Sequence, residues 1–269
     1  MDGSKTKKKI AIITGASSGL GAEFALQIEA SFYLDEVWLI ARRQEPMRDL
    51  ARRFQKSKAV LISYDLSNRN DLVNFEKKLE AEQPQIEILV NNAGYGKIGP
   101  VAELGMNEQM QMIDVNVYAL TYLTKASIPF MVAGSKILQV ASSIGYCPAP
   151  FFAVYAATKA YVVSFSEALG HELKPKGIQV LAVCPGPVAT EFFDEAVKND
   201  YLKKKNTPAK PFNEMVRASA HQVVEKALAD LGKRRHRSIF GWQIQLFVFF
   251  LPFVPQALLF RALEKRNQT

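Results

Sequence analysis

Short apolar runs of five to seven residues alternate along the chain with longer amphipathic stretches, and this alternation limits the fold more than any other feature. The predicted strands are Ile10–Thr14, Glu36–Ala41, Ala59–Tyr64, Ile86–Val90, Ser135–Ala141 and Gln179–Cys184. The predicted helices include Leu20–Ala30, Pro46–Lys56, Asp71–Glu82, Asn107–Phe130 and Phe152–Leu173. Nearly continuous apolar strands are typical of parallel sheets that are buried on both faces. The pattern therefore predicts an α/β fold, a doubly wound parallel sheet with helices on both faces.

Composition and organisation narrow the expectations further. The chain has no repeat and no Pro/Gly/Ser linker, so we expect one domain over residues 1–269, with a substrate lid at 190–212 and an apolar C-terminal segment at 238–269. The net charge of +8 lies in separate short clusters without interleaved aromatic residues, so no nucleic-acid binding is expected. Cys147 and Cys184 are too few for a disulfide framework, and no apolar secretory signal precedes the first strand. We therefore expect a cytoplasmic protein without a metal site.

A glycine-rich turn, T-G-A-S-S-G-L-G, follows the first predicted strand and leads into a helix. Gly15, Gly19 and Gly21 would let the chain turn tightly and approach a pyrophosphate closely. The N-terminus of the following helix offers free N–H groups and the positive end of a dipole. The turn predicts a dinucleotide site, and the alternative is an ordinary tight turn between a strand and a helix.

The end of the second predicted strand bears on the choice of cofactor. Enzymes that use NAD carry an acidic residue there, which accepts a hydrogen bond from the ribose 2′-hydroxyl. Here Arg42 and Arg43 occupy the position instead. Two guanidinium groups can bind a 2′-phosphate through bidentate hydrogen bonds, so the sequence predicts NADP(H). The alternative is that both are ordinary surface charges.

The motif Y-A-A-T-K places Tyr155 and Lys159 four residues apart, on one face of a helix. A free phenol has a pKa of ~10, and a nearby ammonium favours its ionised form, which would bring proton exchange towards neutral pH. Ser142 lies thirteen residues before Tyr155, where its hydroxyl could bind a substrate oxygen, and Ser143 is the alternative. Asn116 could help Lys159 to hold a water for proton relay, or it could cap a local backbone kink.

These motifs, together with N-N-A-G from Asn91 to Gly94 and the P-G pair Pro185-Gly186, occur in the order and spacing of the short-chain dehydrogenase/reductase family. The chain resembles this family over about residues 8–190. The one departure is S-S-I-G, which is a residue shorter than the frequent S-S-x-A-G and leaves the choice of serine less certain. The resemblance implies a seven-stranded Rossmann sheet and an NADP(H)-dependent oxidoreductase that interconverts a ketone and a secondary alcohol. It also implies a homodimer or a homotetramer. Within the family, the enzyme would be of the hydroxysteroid dehydrogenase-like or the 3-oxoacyl reductase-like type.

The same resemblance assigns the site residues. The catalytic tetrad would be Asn116, Ser142, Tyr155 and Lys159, with Ser142 and Tyr155 also contacting the substrate. Asp65 would lie near the adenine, and the segment from Pro185 to Thr190 would clasp the nicotinamide. The complete set implied for the cofactor is Gly15, Ser17, Ser18, Gly19, Leu20, Gly21, Arg42, Arg43, Asp65, Leu66, Asn92, Ala93, Gly94, Tyr155, Lys159, Pro185, Gly186, Val188 and Thr190.

The apolar segment 238–269 has three interpretations. Its glutamines and prolines disfavour a membrane-spanning helix. An interfacial helix with basic flanks would contact anionic lipid. We favour the third, in which its first residues form the last strand and the remainder packs over the substrate cleft or against another subunit. Together with Tyr95, Tyr146, Phe151 and Phe152, it indicates a bulky hydrophobic substrate, such as a steroid or fatty-acyl compound.

Three other classes of function stay open at this point. An epimerase or dehydratase of the same family would usually have a longer chain with a substrate domain. A nucleotide sensor could keep the fold without strong turnover, although the complete tetrad disfavours it. A protein that acts mainly at a membrane surface through its C-terminal segment is the third.

Overall fold

Seven parallel strands form a single sheet in the computed structural model, which describes residues 7–198, 218–255 and 259. The strands are β1 (Lys9–Thr14), β2 (Glu36–Ala41), β3 (Lys58–Ser63), β4 (Gln85–Asn91), β5 (Met131–Val140), β6 (Gln179–Val183) and β7 (Arg237–Ser238). Their order in the sheet is β3-β2-β1-β4-β5-β6-β7. The Rossmann-type doubly wound sheet is thereby confirmed. The order reverses between β1 and β4, and ligands of such sheets bind in the crevice outside the carboxyl ends of the strands at this point.

Helices cover both faces of the sheet. Within the described residues they are α1 (Gly19–Ser31), α2 (Gln44–Ala51), α3 (Arg69–Glu82), α4 (Met106–Ile113), α5 (Leu120–Ser127), α6 (Ala153–Leu173), α7 (Phe192–Ala196), α8 (Ala220–Gly232) and α9 (Trp242–Phe250). In β1, Ile10 and Ile12 face a core formed with α3, α5 and α6, whereas Ala11 and Ile13 face a second core formed with α1, α2 and α8. Because successive residues of a strand point to opposite faces, burial on both sides requires an almost unbroken apolar run.

Two predicted helices differ from the observed ones. The predicted helix Pro46–Lys56 ends at Ala51, because the backbone N–H groups of residues 55–57 donate to the buried carboxylate of Glu29 rather than continuing the helix. The predicted helix Asn107–Phe130 is divided into α4, a π-helix at Asp114–Ala119, α5 and a 3-10 turn. The apolar periodicity of the sequence does not distinguish an α-helix from a π-helix or a 3-10 turn, since the apolar spacing continues through all of them.

The apolar C-terminal segment begins in the last strand, as expected, but this strand is short: it covers Arg237–Ser238, and Trp242 begins a helix. The sequence analysis did not place α8, although Ser219 and Gln222 form a capping box at its start. Within the described parts of the chain, every helix is too short or too polar to cross a membrane. Residues 199–212 of the predicted lid and most of the last fourteen residues lie outside the described residues.

Glu29 fixes the connection between α2 and β3, and its ionisation should affect stability. Burial raises the pKa of Glu29, but the backbone N–H donors of Lys56, Ser57 and Gln55 outweigh this effect and leave the pKa below its usual value. The ionised form is therefore favoured by folding, and its contribution is lost as the pH falls through the folded pKa.

We expect Glu29→Gln to lower the free energy of unfolding by about 2 kcal/mol at pH 7, because a neutral amide oxygen is a weaker acceptor for these N–H groups. Urea unfolding at several pH values measures this, and the difference from wild type should shrink below pH 4.5. Glu80, which is exposed on α3, provides the matched control Glu80→Gln. An equal loss in both variants, or a difference that does not change with pH, would contradict the assignment.

Candidate active site

The turn between β1 and α1 depends on glycine at three points. Gly15 has a φ of 65° and Gly19 a φ of 55°, in the left-handed region that other residues rarely adopt. A Cβ on Gly21 would lie 2.2 Å from the carbonyl oxygen of Gly15, so α1 could not start this close to the turn with any larger residue. The turn thus leaves the N-terminal end of α1 open towards the crevice, as a phosphate site requires.

The N-N-A-G segment after β4 is fastened to this turn. The side chain of Asn92 donates to the carbonyl oxygen of Thr14 at 3.0 Å, and the hydroxyl of Thr14 accepts from the backbone N–H groups of Asn92 and Ala93. The carboxyl ends of β1 and β4 therefore form one rigid floor at the position where the strand order reverses.

A cavity of about 1070 Å³ opens above this floor. Small-molecule sites usually measure ~300–1,000 Å³, so it has room for a dinucleotide together with a substrate. All the residues implied by the sequence for catalysis or cofactor binding line it, except Gly21 and Asn116. Within the described residues, no group of three or more His, Cys, Asp or Glu side chains is placed to bind a metal ion.

Tyr155 and Lys159 lie in the first turns of α6 and are both buried. The ammonium of Lys159 lies 5.7 Å from the centre of the Tyr155 ring, and it donates to the carbonyl oxygen of Val140 at 2.7 Å. Burial lowers the pKa of Lys159 to about 8, against a smaller opposing effect of Cys184. Lysine is therefore still cationic at neutral pH, but much closer to its titration point than on a surface.

The two serines after β5 differ in what they contact. Burial raises the pKa of the Tyr155 phenol, and a hydrogen bond with the side chain of Ser142 acts in the opposite direction. Ser143 also lines the cavity, and its backbone N–H donates to Pro185 at 2.9 Å. The contact with Tyr155 favours Ser142 over Ser143 as the residue that would share a substrate oxygen with the phenol.

Asn116 lies in the π-helix between α4 and α5 and is completely buried. Its amide donates to the carbonyl oxygen of Tyr95 and to the hydroxyl of Thr158, both at 3.0 Å, and its oxygen accepts from the N–H of Tyr95. The side chain thus joins the loop after β4 to α6, one residue before Lys159. Of its two predicted roles, this geometry supports holding the backbone, and a role in water relay stays a prediction.

A short segment within the predicted lid 190–212, which the predicted site residues did not include beyond Thr190, covers Tyr155. The ring of Phe192, at the start of α7, lies 5.2 Å from the ring of Tyr155, and Phe152 stacks on Tyr155 at 4.4 Å. Lys97 donates to the carbonyl oxygens of Glu195 and Lys198 and so holds the end of α7. The pair Phe192-Phe193 lies one residue after the P-G-P-V-A-T segment, and this proximity was the available sequence signal.

The predicted aromatic wall is only partly present. Tyr95 and Phe152 line the cavity. Tyr146 does not, and its hydroxyl lies 3.5 Å from the sulfur of buried Cys184. Phe151 is 44% exposed and adopts a φ of 63°. The apolar part of the cavity lining includes instead Phe192, Phe193 and residues of α9.

The two arginines after β2 also differ. Arg43 forms an ion pair of 2.9 Å with Glu191, which also lines the cavity, and both side chains are more than half exposed. Arg42 lines the cavity and forms no ion pair within the described part of the chain. Its guanidinium is therefore the more available of the two for an anionic ligand.

Comparison with known proteins agrees with this geometry. The family described as short chain dehydrogenase matches residues 9–200. The NADPH-dependent 1-acyldihydroxyacetone phosphate reductase of Saccharomyces cerevisiae is 32% identical over 191 residues, which cover 70% of this chain and 64% of that protein.

Two solved structures extend the similarity. A short-chain dehydrogenase from Sphingobium yanoikuyae in complex with NADPH is 29% identical, with a TM-score of 0.75 over 93% of this chain and 94% of that one. The bulky-bulky ketone specific alcohol dehydrogenase from Comamonas testosteroni is 28% identical, with a TM-score of 0.73 over 93% of each. The chain belongs to the short-chain dehydrogenase family and is an oxidoreductase that interconverts a CH–OH group and a carbonyl.

Proposed function

We propose that this enzyme reduces bulky hydrophobic ketones with NADPH and oxidises the corresponding secondary alcohols with NADP⁺. The observation that carries the proposal is one cavity lined by two unlike sets of residues. The polar set comprises the side chains of Tyr155, Ser142 and Lys159, together with the glycine-rich turn. The apolar set includes Phe192, Ile244 and Phe247, and the ring of Phe192 lies 5.2 Å from that of Tyr155.

The catalytic proposal assigns a separate task to each polar side chain. The nicotinamide, when bound, supplies or accepts the hydride at its C4 atom. The hydroxyl of Ser142 would hold the carbonyl oxygen and polarise it. Tyr155, kept in its protonated form by burial, would donate a proton to that oxygen as negative charge develops on it. The positive charge of Lys159 would stabilise the phenolate that remains.

Replacing the phenol tests the proton donor. We expect Tyr155→Phe to lower kcat for ketone reduction at least ~10³-fold, because no other acid would contact the substrate oxygen. NADPH binding, followed by fluorescence titration, should change less than about threefold, since the ring and its contacts with Phe152 and Phe192 remain. Val163→Ile, a conservative change further along α6, serves as control. Wild-type turnover in Tyr155→Phe would refute the role of the phenol.

The titration of Lys159 should set the alkaline limit of activity. Burial lowers the pKa of Lys159 to about 8, and the active form is the protonated one. We therefore expect kcat/KM for ketone reduction to be constant near neutral pH and to fall as the pH rises through about 8. Stopped-flow measurement of NADPH oxidation gives the profile. In Lys159→Met the remaining activity should be low and should not fall as the pH rises through about 8. If the same fall is seen in that variant, another group causes it.

The preference for NADP(H) rests on the residues after β2. No carboxylate ends this strand, and Arg42 and Arg43 both line the cavity. Because Arg43 is paired with Glu191 whereas Arg42 has no such partner among the described residues, we infer that Arg42 is the main contact of the 2′-phosphate. The yeast relative is described as NADPH-dependent, and the Sphingobium structure holds NADPH, which supports the same choice.

We expect Arg42→Ala to raise KM for NADPH about tenfold to a hundredfold, the usual value of one or two charge-assisted hydrogen bonds. KM for NADH, which lacks the 2′-phosphate, should remain within about twofold. Arg43→Ala is the matched control, with a smaller effect because an exposed ion pair already engages its guanidinium. Equal losses with both dinucleotides in Arg42→Ala, or a wild-type preference for NADH, would refute the assignment.

The apolar part of the cavity lining supports a large hydrophobic substrate, such as a steroid or a fatty-acyl ketone. The Comamonas enzyme is described as a bulky-bulky ketone specific alcohol dehydrogenase, and the yeast relative as a 1-acyldihydroxyacetone phosphate reductase. A nucleotide sensor without strong turnover would have no need of an apolar cavity beside a buried Tyr–Lys pair. NADPH consumption with a panel of long-chain and polycyclic ketones distinguishes the two functions.

We further infer that the chain acts as one domain and that its copies associate. Exposed large apolar side chains occur along α4, the π-helix and α6, at Met110, Ile113, Tyr118 and Tyr161. Such a patch on an otherwise soluble face is typical of a subunit interface. We therefore propose a homodimer or homotetramer that associates through these helices. A cytoplasmic location stays a prediction from the sequence.

A further inference from the structure

The loop after β4 approaches the ring of Tyr155 closely. A Cβ on Gly96 would lie 2.9 Å from Cδ2 of Tyr155 and 2.8 Å from Cε2 of Phe152, so only glycine lets the loop come this near to both rings. The ring of Phe192, at the start of α7, lies 5.2 Å from the ring of Tyr155. Tyr155 is therefore in contact with two segments that are far apart in the chain.

The helix that carries Phe192 needs partners outside itself. α7 (Phe192–Ala196) is five residues long, and so short a helix is not stable alone, because its few hydrogen bonds do not offset the ordering of its first turn. Ala196 is completely buried in a cluster that also contains Ile98 and Tyr155. The position of α7 thus depends on the loop after β4, which supplies polar partners as well.

Lys97 makes two of the polar contacts at the end of α7. Its ammonium donates to the carbonyl oxygens of Glu195 at 2.9 Å and of Lys198 at 2.7 Å. The backbone N–H of Ile98 donates to the carbonyl oxygen of Ala196 at 3.1 Å. The last carbonyl groups of a helix have no partner within the helix, and a lysine side chain is a favourable donor to them. Residues 97 and 98 therefore fasten the end of α7 to the loop.

The place of Lys97 connects this contact with the reaction site. It is half-buried and lines the cavity, as do Phe192 and Phe193. It also follows Gly96 directly, so the residue next to the Tyr155 ring and the residue that binds α7 are neighbours in the chain. The alternative role is direct contact with an anionic group of the substrate, because an ammonium has three donors and two are used here.

We propose that Lys97 is a positioning residue of the reaction, which holds α7 against the loop after β4 so that Phe192 lies next to Tyr155 before the ketone binds. A wall that is already ordered does not have to be ordered by the substrate, and this lowers the cost of binding. The inference goes beyond the proposed function and rests on it in one respect, the role of Tyr155 as proton donor.

Steady-state kinetics test the proposal. We expect Lys97→Met to raise KM for a neutral long-chain ketone about tenfold, because two charge-assisted hydrogen bonds are lost. The value of kcat should change less than about threefold, since saturating substrate orders α7 again, and the affinity for NADPH should stay within about twofold. Wild-type KM in this variant would overturn the proposal.

Two further variants accompany Lys97→Met. Lys97→Arg keeps a cation that can donate to two carbonyl groups, and its KM should return to within about threefold of wild type. Lys136→Met is the matched control and should behave as wild type, because Lys136 donates to the carbonyl oxygen of Gly134 at 2.7 Å and does not line the cavity. Thermal melting shows that each variant is folded.

A pair of substrates distinguishes positioning from direct contact. The pair is a neutral long-chain ketone and the same ketone with a terminal carboxylate. Positioning predicts that Lys97→Met raises KM by the same factor, within about twofold, for both. If KM rises for the carboxylate alone, the ammonium binds the substrate and the proposal is wrong.

A double-mutant cycle tests whether Lys97 acts through Phe192. Phe192→Ala removes the ring that α7 places next to Tyr155. The double variant with Lys97→Met should then lose no more kcat/KM than Phe192→Ala alone, within about twofold. Losses that multiply would show that Lys97 acts by another route and would overturn the proposal.

Hydrogen exchange of the full-length protein, followed by mass spectrometry, examines α7 without any substrate. The amides of Glu195, Val197 and Lys198 are hydrogen-bonded within this segment, and they should exchange at least about tenfold faster in Lys97→Met but not in Lys136→Met. If exchange rises in this way but wild type reduces no ketone, the proposed function fails and the fastening of α7 by Lys97 stands. If wild type reduces ketones and exchange is unchanged in Lys97→Met, the positioning role fails and the proposed function stands.

Discussion

The site depends on the burial of the Lys159 ammonium next to the end of β5, which is unfavourable in free energy. Removing a cation from water is costly unless it is hydrogen-bonded, and a buried lysine otherwise gives up its proton. Here the carbonyl oxygen of Val140 accepts from Lys159 at 2.7 Å, at the point where β5 ends. The lowered pKa of about 8 shows that this compensation is incomplete. A cation held near its titration point is well suited to respond to a proton leaving the neighbouring phenol.

Much of the surrounding structure serves to keep α6 against the end of β5. A Cβ on Gly145 would lie 2.7 Å from the backbone carbonyl of Lys159, so only glycine lets the 3-10 turn after Ser142 pack against the helix at this level. Asn116 fixes the other side of α6 through Thr158. Ser142 lies on the turn after β5, whereas Tyr155 and Lys159 lie on α6. The close approach of these two segments depends on Gly145, which has no side chain, and on the amide of Asn116.

The features that could be predicted from the sequence are those encoded by short spacings. Apolar runs gave six of the seven strands, because burial on both faces is visible in a single segment. The pair Tyr155 and Lys159 was predictable from the helical repeat alone. In contrast, the segment after α2 is held by Glu29, more than twenty residues away, and Asn116 in the π-helix contacts Tyr95 and Thr158, which are also distant in the chain. The local periodicity of the sequence cannot predict such distant contacts.

The same distinction separates what the protein does from what it acts on. The reacting groups lie just after a strand and on α6, where the backbone hydrogen bonds of the sheet and the helix fix their positions. The apolar part of the cavity lining comes from Phe152, Phe192 and α9. These segments are remote from one another in the chain, and no sequence spacing predicts that they meet. Chain segments of this kind can change length or composition without disturbing the sheet, because none of them lies in a strand of it. The type of reaction can therefore be inferred from a few sequence motifs. The substrate has to be inferred from the surface that Phe152, Phe192 and α9 form together in three dimensions.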